Sequence, residues 1–166
     1  MTMKQLTLIR HAKSSWDNPG LRDFDRPLNA RGMRDLPLMA ARVKAFGLIP
    51  QRLLYSSATR TAVTARTLAQ TLALEDRNCM AIPEMYEACW ETLLNVLQGQ
   101  PDHLDSIMLV GHNPGIADLG AYLSGQTLHH FPTSAVHHLM LNVLSWTELA
   151  ESCGSTQIFD YPKLHT

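Results

Sequence analysis

Apolar positions in this chain change period several times, and each change marks an element. Leu6, Leu8 and Ile9 form a short apolar run near the start, and it stops abruptly at Arg10 and His11. The run reads as a buried first strand. A polar loop follows, with Asn18, Pro19 and Gly20 marking a turn and Pro27 keeping the next stretch irregular. Met33, Leu36, Met39, Ala40 and Val43 then recur at helical spacing, with Asn29 as cap and Gly47 as stop. Pro37 either kinks this helix or moves its start forward.

Leu53-Leu54-Tyr55-Ser56 is a second short strand. A helix follows at once, with Ala62, Val63, Ala65, Leu68, Ala69 and Leu72 as its inward face and Ser57 or Thr59 as its cap. Arg60 then falls in the first turn, beside free backbone N–H groups. Met80-Ala81-Ile82 is a third strand, stopped by Pro83, and Trp90, Leu93, Leu94 and Leu97 make a modest helix. Residues 106–110 are the clearest strand, closed by Gly111-His112-Asn113-Pro114-Gly115. Residues 116–123 read as helix, 136–143 as strand and 157–159 as a last strand at a sheet edge.

Strands alternate with helices for most of the length. The fold class is therefore α/β: a three-layer α/β/α sandwich on a mostly parallel sheet, with an antiparallel edge contributed by the last strands. At 166 residues one domain is expected, spanning 1–166. The 14 basic and 15 acidic residues leave a formal charge of −1, so no general attraction to nucleic acid or to a membrane surface is expected. No apolar run approaches the ~20 residues of a membrane span, and no signal peptide is apparent. Cys79, Cys89 and Cys153 form no C-x-x-C and no disulfide framework, which fits a reducing cytoplasm.

Three of these strands end alike. The first ends at Arg10-His11, the second leads into the helix bearing Arg60, and the fourth ends at Gly111-His112. In a parallel sheet all three ends lie on one edge, where such sheets bind ligands. Two guanidiniums and two imidazoles around one concavity would repel one another unless an anion, best a phosphate, neutralised them. Lys13 and Arg26 either line the mouth of such a site or are solvated loop charges. Asp25 either orients an arginine or caps a turn, and Trp16 is either a gate or a packed loop residue. His129-His130 and His137-His138 suggest a metal site, but the second pair alternates along a strand and no acid or thiol lies at ligand spacing, so no metal is expected.

The motifs Leu8-Ile9-Arg10-His11-Ala12-Lys13-Ser14, Asp25-Arg26-Pro27-Leu28-Asn29-Ala30-Arg31-Gly32, Ser56-Ser57-Ala58-Thr59-Arg60-Thr61-Ala62, Met85-Tyr86-Glu87-Ala88 and Val110-Gly111-His112-Asn113-Pro114 occur in that order and span nearly the whole chain. In this the chain resembles the histidine phosphatase superfamily, also called phosphoglycerate mutase-like, and within it the small SixA-type phosphohistidine phosphatases. The resemblance implies a phosphoglycerate mutase-like fold and two displacements at phosphorus without a cofactor. His11 would be the nucleophile, and Arg10, Arg60 and His112 would hold the phosphoryl oxygens. The family's proton donor lies on the loop after the third strand. Glu84 is favoured there by its place after Pro83, with Glu87 the alternative.

The expected substrate is a phosphohistidine on a protein, such as a phosphotransfer domain. About two dozen residues join the third strand to the strand at 106–110, and they include a helix. Little remains for a lid, which suits a protein side chain better than a small metabolite. A small-molecule phosphomonoesterase of the same superfamily and a non-catalytic phospho-ligand binding module are the alternatives.

Overall fold

The computed structural model describes residues 2–166. Six strands form one sheet: β1 (Lys4–Arg10), β2 (Arg52–Tyr55), β3 (Cys79–Ala81), β4 (Ser106–Gly111), β5 (Val136–Leu141) and β6 (Gly154–Asp160), in the order β3-β2-β4-β1-β5-β6. Four α-helices cover it: α1 (Ala30–Ala45), α2 (Thr59–Thr71), α3 (Trp90–Gln98) and α4 (Gly115–Ser124).

The layering follows from alternation along the strands. Leu6 and Leu8 of β1, Leu54 of β2 and Ile107 and Leu109 of β4 face α3 and α4. Ile9, Leu53, Met108 and Val110 point the other way, against α1 and α2. Both faces are covered, so the central strands are mostly apolar, with buried Thr7 of β1 a polar exception. The β1, β2, β3 and β4 pairings are parallel, while β5 is antiparallel to both β1 and β6. The antiparallel pairings lie at the expected edge. The strand that runs against the others is β5, and β6 lies outside it.

Local details depart from the sequence reading for identifiable reasons. Asn29 does cap α1, accepting from the Gly32 N–H at 2.8 Å. Pro37 lies inside that helix, on its exposed side, where the carbonyl it leaves without a donor faces solvent. Met33 is exposed too, so the buried stripe of α1 runs through Leu36, Met39, Ala40 and Val43. At α2 the cap residue is Ala58, and neither Ser57 nor Thr59 caps. Instead Thr61 Oγ1 donates to the carbonyls of Ser56 and Ala58, fastening the turn from inside. Strand β6 is longer than expected because Gly154-Ser155-Thr156 carries no apolar signal, yet it pairs with Leu139–Leu141 of β5 beyond a register shift at His138/Leu139.

Two glycines let backbone approach backbone around the site. A Cβ on Gly32 would strike the Lys13 carbonyl, which also accepts from the Asn29 N–H at 2.9 Å. The start of α1 therefore lies directly on the loop after β1. A Cβ on Gly115 would strike the Ala88 carbonyl, so α4 begins against the loop that carries Glu87.

Candidate active site

The parallel register of β1 and β4 builds the centre of the site. Arg10 pairs with Gly111, and the His11 N–H donates to the Gly111 carbonyl at 3.1 Å. His11 and His112 are therefore the first residues beyond two adjacent strand ends, with ring centroids 5.3 Å apart. On the other side of β4, the Ser56 N–H donates to the Val110 carbonyl, and Ser56 Oγ lies 2.8 Å from His112 Nε2. Arg60 arrives from the first turn of α2. The three strand ends thus meet at one edge of the sheet.

His11 Nδ1 lies 2.8 Å from its neighbour's carbonyl, Ala12 O. A carbonyl only accepts, so Nδ1 carries the proton and the Nε2 lone pair is left free. Burial pushes the ring's pKa down to about 3, reinforced by the charges of His112, Arg60 and Arg10 and opposed by the Ala12 carbonyl. Burial and the Arg60 charge likewise hold His112 down to about 4. Both rings are neutral at pH 7, as a nitrogen nucleophile must be.

Arg60 is almost fully buried. Its Nη1 donates to the Asp23 carbonyl at 2.8 Å, and its Nη2 to Asp23 Oδ2 at 3.0 Å and to Glu87 Oε1 at 2.7 Å. The same Glu87 oxygen lies 3.5 Å from His112 Nδ1. Because that oxygen already accepts from Arg60, the His112 proton belongs on Nδ1, with Nε2 accepting from Ser56. Arg10 is steadied by Nη1 donating to the Phe131 carbonyl at 3.1 Å, which Asn113 Nδ2 also reaches at 2.8 Å. Arg10 Nε and His112 Nδ1 are buried without a hydrogen-bond partner among the described residues. Unpartnered buried donors beside cations are what an oxyanion would satisfy.

The resulting cleft, about 260 Å³, is lined by Arg10, His11, Lys13, Arg60, Glu87 and His112, with Ser14, Trp16, Asp23, Arg26, Asn113 and Thr133 completing it. A larger groove of about 400 Å³ lies at the opposite end of the sheet, between residues 47–51 and 105–107, but it gathers no cations.

Of the residues expected from sequence, Arg10, His11, Arg60, His112, Lys13 and Arg26 all line the cleft. Glu84 does not: it is exposed on the 3-10 turn Pro83–Met85, whose Met85 is the buried member, and Glu87 reaches the site in its stead. Glu87 has φ +49°, a left-handed conformation that turns its side chain back toward Arg60. The Arg26 guanidinium is buried and engaged within its own loop, by the Ser15 carbonyl, Asp23 Oδ1 and Ser14 Oγ. Asp25 pairs with exposed Arg22, while Asp23, two residues earlier, joins Glu87 on Arg60. Tyr86 supports Asp23, its hydroxyl donating to Oδ2 at 2.6 Å. Asp23 lies outside the motifs read from the sequence, while Tyr86 and Ser56 stand inside two of them without a role of their own. His137 and His138 each meet a threonine hydroxyl, of Thr156 and Thr7 respectively.

The buried neutral histidines make the fold sensitive to acid. His137 is also lowered to about 4, chiefly by burial. The unfolded chain protonates these rings as pH falls through ~6.5, while the folded chain holds them neutral down to about 4. Stability is therefore lost between those values, at about 1.4 kcal/mol per pH unit for each histidine. The urea midpoint is expected to fall steeply from pH 7 to pH 4.5, and His137→Gln to flatten the fall. A midpoint constant over that range would contradict the burial argument.

Comparison with known proteins bears on the family and the fold. Residues 6–105 match the profile of the histidine phosphatase superfamily (branch 1), a stretch that ends before His112. The chain is 37% identical over 134 residues to an uncharacterized chloroplastic protein of Arabidopsis thaliana, covering 75% of this chain and 61% of that one, less than two thirds of its length. It is 28% identical over 166 residues to an uncharacterized protein of Mycobacterium tuberculosis, covering 93% of this chain and 100% of that one. Among solved structures it is similar to one provisionally assigned as the phosphohistidine phosphatase SixA of Agrobacterium tumefaciens, with TM-score 0.83, 30% identity and coverage of 98% and 100%. The fold is also that of the protein histidine phosphatase SixA complexed with tungstate, with TM-score 0.82, 24% identity and coverage of 98% and 99%. With the cationic cleft at its strand ends and this profile over more than half its length, the chain belongs to the histidine phosphatase superfamily.

Proposed function

We propose that this protein is a phosphatase that hydrolyses phosphohistidine on a protein, through a phosphohistidine intermediate on His11 and without a metal. The observation that carries the reading is His11 itself. Its ring is neutral, anchored through Nδ1–H, and shares one cleft with the guanidiniums of Arg10 and Arg60 and the His112 donor. The Nε2 lone pair attacks phosphorus in line. The bond from phosphorus to the leaving nitrogen breaks, its electron pair stays on that nitrogen, and a proton follows. Water then attacks, the bond to Nε2 breaks, and inorganic phosphate leaves. Arg10, Arg60 and His112 Nδ1–H take up charge on the equatorial oxygens throughout.

Glu87 is the proton carrier in this reading, because it stands in the cleft and Glu84 does not. A leaving imidazole is itself basic and leans less on an acid than an alkoxide does. Glu87→Gln keeps an acceptor for Arg60 but cannot carry the proton. It is expected to lower turnover of an alkyl phosphate ester about a hundredfold and that of phosphohistidine about tenfold at most. Equal losses on both substrates would remove Glu87 from proton transfer.

The size of the cleft supports a protein substrate. Sites that enclose a small ligand usually hold ~300–1,000 Å³, and this one is smaller. The segment between β3 and β4 is taken up by a 3-10 turn and α3, and only Glu87 of it lines the cleft. The deciding experiment is phosphate release, with chelator present, from a phosphohistidine-bearing phosphotransfer domain and from small phosphate esters. Faster release from the domain supports the reading. A wide preference for esters moves the substrate to metabolites, and no release from either leaves a phospho-ligand binding module.

A further inference from the structure

Trp16 is 72% exposed, whereas Trp146 is fully buried and Trp90 stacks on Tyr122. Exposing an indole is costly unless something holds it there for use. What holds it is Arg26, whose guanidinium carbon lies 3.4 Å from the indole centroid. Arg26 is only 7% exposed. Its hydrogen bonds to the Ser15 carbonyl, Asp23 Oδ1 and Ser14 Oγ leave it little freedom. Asp23 in turn holds Arg60. The loop is pinned further by the Ser14–Leu28 bridge and by the Ser15 N–H donating to the Pro27 carbonyl at 2.8 Å. One face of the indole is thus fixed on a buried cation, and the ring lines the cleft that contains His11.

We propose that Trp16 is the platform on which the ring of the phosphorylated histidine stacks during turnover. This rests on the phosphohistidine reading above. In a phosphohistidine the ring nitrogen is bonded directly to phosphorus, so phosphorus at His11 puts the ring at the mouth of the cleft. An alkyl ester puts a flexible methylene there, and a simple phosphoramidate puts nothing. A flat indole suits only the first of these. Because Arg26 already holds the indole, stacking costs little further ordering. The arrangement selects for a planar leaving group and needs no lid.

The test compares phosphoimidazole, which carries the ring, with phosphoramidate, which has the same phosphorus–nitrogen bond and no ring. For wild type, Trp16→Ala and Trp16→Phe, the quantity read is the ratio of kcat/KM on the two substrates. Trp16→Ala is expected to lower the ratio about tenfold, mostly through KM, and Trp16→Phe to restore most of it. Equal proportional losses on both substrates would make Trp16 a prop for the loop and overturn the proposal, as would an unchanged ratio. If wild type hydrolyses phosphoramidate but not phosphoimidazole, the phosphohistidine reading itself falls, and the platform with it. Free phosphohistidine and a phosphorylated phosphotransfer domain, assayed with the same variants, separate a ring offered by a small molecule from one offered by a protein. A drop on either that exceeds the drop on phosphoramidate supports the stack, and no such excess on either overturns it.

Discussion

His11→Ala is expected to lower turnover by about four orders of magnitude or more and to abolish the phosphoenzyme. The size of the effect follows from the lack of a substitute. Burial lowers both rings in the cleft, but only His11 has its Nδ1–H tied to a carbonyl beside it. His112 offers no free lone pair, because Nε2 accepts from Ser56 and Nδ1 carries the proton that is left without a partner among the described residues. It cannot take over the attack without breaking contacts that orient it. Rapid quench with labelled substrate should trap an acid-labile, alkali-stable phosphate on wild type and none on the variant. Binding of inorganic phosphate should survive, because Arg10 and Arg60 remain. A variant within tenfold of wild type would show that water attacks directly and that His11 only binds.

Arg60→Ala is the second large effect, expected at about 10³-fold or more in kcat/KM by analogy with other guanidiniums that stabilise a transferring phosphoryl group. Two losses combine. The oxyanion loses a buried cation, and Asp23 and Glu87 lose the group that both of them face. Two carboxyl groups are then left beside an incoming phosphate, so KM should rise as kcat falls. Arg60→Lys should recover little. A single ammonium cannot reach the Asp23 carbonyl, Asp23 Oδ2 and Glu87 while also meeting phosphate, as a planar fork with five donors can. Steady-state kinetics of the two variants decides it. Recovery by lysine to within tenfold of wild type would reduce Arg60 to a point charge.

The residues that carry these two predictions were readable before any fold was known. An apolar run broken by Arg10-His11, a second broken by Gly111-His112, and Arg60 at the head of a helix are all local signals. A parallel α/β sheet collects strand ends on one edge whatever its strand order, so the cationic set followed from element type alone. The Asn29 cap was legible for the same reason, since the side chain meets a backbone N–H three residues on.

Other features depend on contacts between distant parts of the chain. Asp23 stands on Arg60, 37 positions away, and Ser56 on His112, 56 positions away. No spacing rule reaches that far. The choice of Glu87 over Glu84 rests on a single left-handed residue backed by Ala88 against Gly115. Pattern alone made both acids candidates. For Arg26 the sequence leaves two readings open, the mouth of the site or a solvated loop charge. Only the folded loop brings Ser14, the Ser15 carbonyl and Asp23 around its guanidinium and lays Trp16 over it. Hydrophobic period and capping are properties of a few consecutive residues, so the chain carries them wherever it lies. Hydrogen-bond partners and burial belong to pairs of segments, and they exist only once the sheet has set which segments meet.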